Sequence, residues 1–213
     1  MPGASAGRRL NRSGAGESDS ALALTLHKLL IEIRGGIEME EQQDFKLCFL
    51  KITLYRMTDT YWPKLRKVLE SLNTDQLWAE PYPGGNSIGG IALHVCEHLH
   101  RSCLRMTGST AALSSDFQYY FPDAGTPVSE VLQQLEGQWT EWAEVINSLI
   151  QEAHRFTEEH LHHLYHLVEH TGYHLGQIID RAQGITGTFF RFYDAGLSEQ
   201  ALRVRIEEDR RGE

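Results

Sequence analysis

The sequence predicts an all-α fold: a four-helix bundle with a disordered N-terminal leader, a C-terminal strap and a short last helix. Three observations carry this. Apolar residues recur at three- and four-residue steps through four long stretches, the spacing that lines up one face of a helix. Polar caps and proline mark where those stretches begin, and glycine marks where several of them end. No stretch alternates polar and apolar residues as a half-buried strand would, and there is no internal repeat or Gly-rich phosphate loop. At 213 residues, with 41% apolar and 23% charged residues, the chain suits one globular domain with a substantial core.

Residues 1–20 (MPGASAGRRLNRSGAGESDS) nearly lack large apolar groups. They bury too little surface to offset their ordering entropy, so disorder is expected. Residues 21–34 suit a short helix that Gly35-Gly36 breaks. Composition changes sharply after Met39, which divides the chain into a leader, 1–38, and a bundle domain, 39–213. Both Met1 and Met39 stay open as the start of translation. From about Glu40 to Leu72 the spacing of Phe45, Phe49, Ile52, Tyr55, Tyr61, Leu65, Val68 and Leu72 is helical, with a kink or restart at Pro63, which lacks a backbone donor. Asn73–Asn86 is a connection punctuated by Pro81, Pro83, Gly84 and Gly85.

Asn86 or Ser87 caps a second helix, SIGGIALHVCEHLHRSCLRM, which ends near Gly108. Its core stripe is Ile88, Ile91, Ala92, Val95, Leu99 and Met106. Gly89 and Gly90 each cost about 1 kcal/mol against alanine in a helix, which points to close approach of a neighbour or ligand. Residues 109–126 form a long loop with Phe117, Tyr119, Tyr120 and Phe121, either a lid over a site or a packing plug, and the plug is the expectation. Thr126-Pro127 opens a third helix to about Gln151, with Leu132, Leu135, Trp139, Trp142, Val145 and Leu149 inward. Thr157 caps a fourth, which runs to Gln183 and stops at Gly184. ITGTFFRFYDAG then packs back on the bundle, and a last helix starts at Ser198 and frays into EEDRRGE.

Composition narrows the function classes. A net charge of −9 offers no basic stripe to neutralise phosphates, which argues against nucleic acid as a partner; Arg8, Arg9 and Arg12 are too few. No apolar run approaches the ~20 residues that cross a bilayer, so no membrane is expected. Ala21–Ile33 is interrupted by His27, Lys28 and Glu32, which argues against a signal peptide. Cys48, Cys96 and Cys103 show no CxxC spacing and read as reduced core residues of a cytoplasmic protein. A redox-active Cys96 is the alternative, because it lies two residues from His94.

The chemistry concentrates in HLVEHTGYHLGQ of the fourth helix. Residues four apart lie nearly above one another, so His166, His170 and His174 form a ridge that His163 and Gln177 extend. The ridge flanks the apolar stripe of Leu161, Leu164, Val168, Leu175 and Ile179. Two imidazoles at i and i+4 can share one metal ion, although a solvated histidine-rich face has the same pattern. His94 of the second helix stands off its own stripe in the same way. One histidine from that helix and an HxxxH pair from the other supply three neutral nitrogens. These suit Zn²⁺ or Ni²⁺ first, with Fe²⁺, Co²⁺ and Mn²⁺ open, and leave a position for water or substrate. His98 is an alternate ligand one turn from His94; His166 supports the site or faces solvent. Gln177 is a candidate to hold a ligand from behind, and Tyr173 and Arg181 to line the pocket. The ExxH spacings Glu97/His100 and Glu159/His162 also suit a di-iron bundle. The first helix, however, offers no glutamate near its middle, only Glu70 at its end.

NSIGGIALHVCEHL followed by HLVEHTGYHLGQII resembles the two signature helices of the DinB/YfiT-like metalloenzyme superfamily, across roughly residues 40–190. The resemblance implies that bundle fold and a metal held by His94, His170 and His174, with Gly176-Gln177 completing the motif. It further implies a metal-dependent transferase using a low-molecular-weight thiol of the bacillithiol or mycothiol class, with a small-molecule thiol and an electrophilic substrate as partners. A metal-dependent hydrolase on the same site and a non-catalytic metal-binding stress-response module remain alternatives. No catalytic acid or base is identified beyond the weak candidate Gln177, and a homodimer is left open.

Overall fold

The computed structural model describes residues 16–109 and 115–212, and every regular element among them is helical. Residues 1–15 of the expected disordered stretch lie outside the described residues. The chain divides into two compact units, with the boundary between Phe45 and Lys46. Helix α1 (Gly16–Tyr55) supplies the described part of the first unit, where Leu26, Leu29, Leu30 and Ile33 are exposed. The break expected at Gly35-Gly36 does not occur. Both glycines lie within α1, and neither has a positive φ. Glycine weakens a helix by about 1 kcal/mol without forbidding it.

In the second unit, the first bundle helix is the end of α1 with Leu50 and Leu54, a π-helical turn (Arg56–Tyr61) and α2 (Trp62–Leu69). The wide turn sits just ahead of Pro63, whose ring would otherwise strike the carbonyl four residues back. Its buried stripe is Leu50, Leu54, Met57, Leu65 and Val68, while Phe45, read as part of that stripe, is exposed. The connection that follows is not all loop. A short helix, α3 (Thr74–Trp78), forms behind a capping box in which Asn73 and Gln76 bond each other's backbone.

The remaining bundle helices are α4 (Ile88–Met106), α5 (Val128–Gln151) and α6 (Glu158–Thr186). Ser87 caps α4, its Oγ accepting from Gly90 N at 3.0 Å. A Cβ on Gly89 would lie 2.5 Å from the Trp78 ring, so the neighbour expected at the glycine pair is this indole. α4 packs against both α5 and α6. Inside, the indoles of Trp62 and Trp139 stack with centroids 5.3 Å apart, and Trp142 donates to Ser102 Oγ at 3.1 Å. α6 passes Gly184 and ends at Gly187, whose φ of 67° supplies the left-handed stop that Gly184 was expected to provide.

Beyond α6 the strap packs back as expected: Phe190 is buried, and its N–H donates to Gln183 Oε1 at 3.1 Å. Helix α7 (Glu199–Arg211) is capped by Ser198 and does not fray at EEDRR. It is held along its length by Arg56–Glu199 at 3.0 Å, Lys51–Asp209 at 2.6 Å and buried Leu202. No helix among the described residues is long and apolar enough to cross a membrane.

Candidate metal centre

Two HxxxH pairs face each other across the α4–α6 contact, His94/His98 on α4 and His170/His174 on α6. Ring centroids are 5.1 Å apart for His94–His170, 5.0 Å for His94–His174, 4.4 Å for His170–His174 and 3.9 Å for His98–His170. The ligand nitrogens of His94, His98 and His170 lie within 4.8 Å of one another. That group takes in His98, read only as an alternate, and two of the three motif histidines; His174 is not in it, although its ring lies beside those of His170 and His94. His166 is exposed at the rim, its ring 5.5 Å from that of His170.

The histidines do not flank the core as the helical angles suggested. His94, His98 and His174 are 1%, 6% and 4% exposed, and His170 is half-buried. The buried face of α6 runs through Leu164, Leu167, Thr171, His174, Ile178 and Ala182, rotated from the stripe read off Leu161, Val168 and Ile179. On α4 most residues are buried, and the outer edge falls at Glu97, His100 and Leu104 rather than at His94.

Hydrogen bonds at the outer nitrogens decide which nitrogens face inward. His94 Nδ1 lies 3.1 Å from the Tyr120 carbonyl, which only accepts, so that nitrogen carries the proton and Nε2 keeps a lone pair. His174 Nδ1 donates to Gln177 Oε1 at 2.8 Å, and Gln177 is oriented in turn by its Nε2 donating to Tyr173 Oη at 2.9 Å. His94 Nε2 faces His170 Nε2 at 3.0 Å. Two lone pairs that close repel, so either a proton on His170 or a cation must lie between them. Two nitrogens held 2.0–2.1 Å from a tetrahedral ion are about 3.3 Å apart, near the observed separation. The donor set thus fits a divalent ion, and the cluster is compatible with metal binding.

Burial is the main force on their protonation. It holds His94 down to about 4, with the neighbouring His174 adding to it and the Tyr120 carbonyl opposing. His98 falls to about 2 through burial, then His170 and His94, and His170 to about 3 through burial, then His174 and His94. Burial also lowers His174. All four rings are consequently neutral at neutral pH, the form in which imidazole binds metal.

The aromatic loop belongs to the site. The Phe121 ring stacks on His94 at 4.2 Å and 22°, and lies 6.0 Å from His174. The loop's far end is fastened where Trp78 Nε1 donates to the Thr126 carbonyl at 2.7 Å. Packing and covering are one contact here, so lid and plug were not alternatives. A run of aromatics directly after the helix bearing His94 was the signal in the sequence. Of the residues expected to line a pocket, Tyr173 is exposed, its hydroxyl accepting from Gln177 and its ring 5.1 Å from that of His174, and Arg181 donates to the Asn86 backbone carbonyl ahead of α4.

The rival chemistries find no support. Glu97 pairs with Arg101 at 3.4 Å and His100 is exposed; Glu159 reaches toward His163 at 3.5 Å and His162 is exposed. No two-carboxylate di-iron site is assembled from these pairs. Burial pushes the Cys96 thiol up to about 11, so it stays protonated and unreactive.

No curated protein and no solved structure matches the chain. The family model of the DinB superfamily matches residues 57–178, more than half of the chain, from the π-helical turn through Ile178 on α6. It spans both HxxxH pairs and the loop between them, and on that match the chain belongs to the DinB superfamily.

Proposed function

We propose that this protein binds one divalent metal ion, zinc or nickel first, through His94, His170 and His174, and uses it in a transferase reaction between a small-molecule thiol and an electrophile. The observation that carries the reading is the lone pair left on Nε2 of His94 and of His174, each fixed because Nδ1 is held by Tyr120 or Gln177, with that of His94 facing His170 Nε2 at 3.0 Å. A bound divalent ion would favour the thiolate over the thiol and supply positive charge beside the electrophile.

The chain's own part is positioning and exclusion of water. Neutral imidazoles leave the ion its full charge, and no aspartate or glutamate joins the cluster among the described residues to offset it. Phe121 covers His94 from one side and keeps the surroundings dry, which strengthens electrostatic interactions inside. Half-buried His170 and exposed His166 mark the side from which a small molecule approaches.

The enclosure of His94, His98 and His174 favours a second reading, a metal-binding module without catalysis. Metal analysis of natively purified protein, joined to a thiol-conjugation screen with a chromogenic electrophile, separates the two. Stoichiometric metal with conjugation that chelation abolishes supports the transferase; metal without turnover supports the module. Full conjugation in thoroughly chelated protein refutes the metal mechanism.

A further inference from the structure

We infer that His98 is a fourth nitrogen donor, so that the ion is held in a closed set of four imidazoles rather than the three that the family motif matches. This rests on the metal reading above and adds to it a residue and a coordination number.

The geometry does not separate His98 from the motif histidines. Its ring lies nearer to His170 than that of any other histidine in the group, at 3.9 Å, and 4.7 Å from His94. Its ligand nitrogen falls within the 4.8 Å that also encloses those of His94 and His170, a group that does not take in His174, whose ring lies 4.4 Å from that of His170. Sequence spacing explains the placement. His94-Val-Cys-Glu-His98 repeats on α4 the i, i+4 step that His170-Thr-Gly-Tyr-His174 makes on α6, so each helix presents two rings one turn apart to the other. An i, i+4 pair on each of two packed helices is a four-cornered arrangement, which suits tetrahedral zinc. His98 is also 6% exposed, deep enough that solvent does not compete for it as it does for His100, two residues on.

A set closed by four imidazoles lacks the vacancy of a catalytic three-histidine zinc site. Any small molecule must then displace a ring to reach the ion.

X-ray absorption on the zinc-loaded full chain counts imidazoles directly and needs no activity. Four are expected in the wild type, and three plus one oxygen in His98→Asn. In chelator competition His98→Asn should bind zinc roughly 10²-fold more weakly, since even the loss of a group behind a ligand costs 10–100-fold. His100→Asn, on the same helix but exposed, should match the wild type. Three imidazoles in wild-type protein that takes up zinc normally would overturn this inference and leave the metal reading standing; so would an unchanged affinity in His98→Asn. Wild-type protein that takes up no zinc overturns both. Should His98→Asn fail to fold, the wild-type count decides alone.

Discussion

Gln177 offers the sharpest test of how the centre is built, because it never needs to touch the ion. Its Oε1 accepts the Nδ1 proton of His174 at 2.8 Å, and its own amide is held by Tyr173. Gln177→Leu keeps the side-chain volume and removes the acceptor. A buried donor left unpaired costs about 1–3 kcal/mol. Gln177 is only half-buried and Tyr173 is exposed, so water can partly replace the lost acceptor, which puts the cost in the lower part of that range. About 1–2 kcal/mol is a loss of roughly 5–30-fold in zinc affinity. Competition against a chromophoric chelator at pH 7.5 measures it, with a thermal melt of metal-free protein confirming that the helices survive. Gln177→Glu keeps an acceptor and adds charge, so it should bind at least as tightly as wild type. Tyr173→Phe removes only the outer link and should cost less than Gln177→Leu. If folded Gln177→Leu stays within twofold of wild type, or the glutamate binds as poorly as the leucine, Gln177 does not position His174.

Two further outcomes follow from packing and charge. Gly89→Ala places a methyl 2.5 Å from a Trp78 ring that is itself fastened to the Thr126 carbonyl, so the ring has little room to yield. Overpacking of about 1–3 kcal/mol should outweigh the helix-propensity gain of about 1 kcal/mol, and a lowered Tm is expected; Gly137→Ala, with nothing within 4 Å, should be neutral or stabilising. An equal Tm for the two alanines would refute the close approach. The second outcome concerns pH. His94, His98 and His170 titrate near 4, 2 and 3 in the folded chain, below the ordinary histidine value of 6.5. Between those values and 6.5 the unfolded chain binds more protons than the folded one. The stability from keeping these rings neutral is therefore complete above pH 6.5 and lost as pH falls, by up to about 1.4 kcal/mol per pH unit for each ring. Denaturant melts of metal-free protein should be flat from pH 8 to 7 and decline steadily from 6.5 to 4.5; a flat profile through that lower window would contradict the buried cluster.

The fold was largely legible because its signals are local. Ser87, Thr157 and Ser198 each sit before a helix with the side chain bonded to its first turn, and such caps are read from neighbouring residues alone. The misplaced boundaries are where two local signals compete and tertiary packing decides. Gly184 and Gly187 are equally good stops by identity; only the second takes a positive φ, and the strap that begins there carries buried Phe190. Gly35-Gly36 is a breaker in composition, yet both residues lie within α1 without a positive φ.

The site was legible in its ligand chemistry and not in its surroundings, and the reason is long-range. The HxxxH of α6 declares itself because its residues are four apart, and the same step on α4 makes His98 as visible as His94 once both are known to be buried. The outer edge of α4 is formed by Glu97, His100 and Leu104, so His98, read as an alternate ligand one turn from His94, is buried like His94 itself. The roof was harder still. Phe121 stacks on a histidine 27 positions earlier, and Tyr120 contributes a backbone carbonyl, a group that every residue carries and no sequence pattern can single out. Yet that carbonyl is what places the His94 proton on Nδ1 and turns the other nitrogen inward. The part of the centre that fixes its tautomers is thus written partly in backbone, which only the folded chain displays.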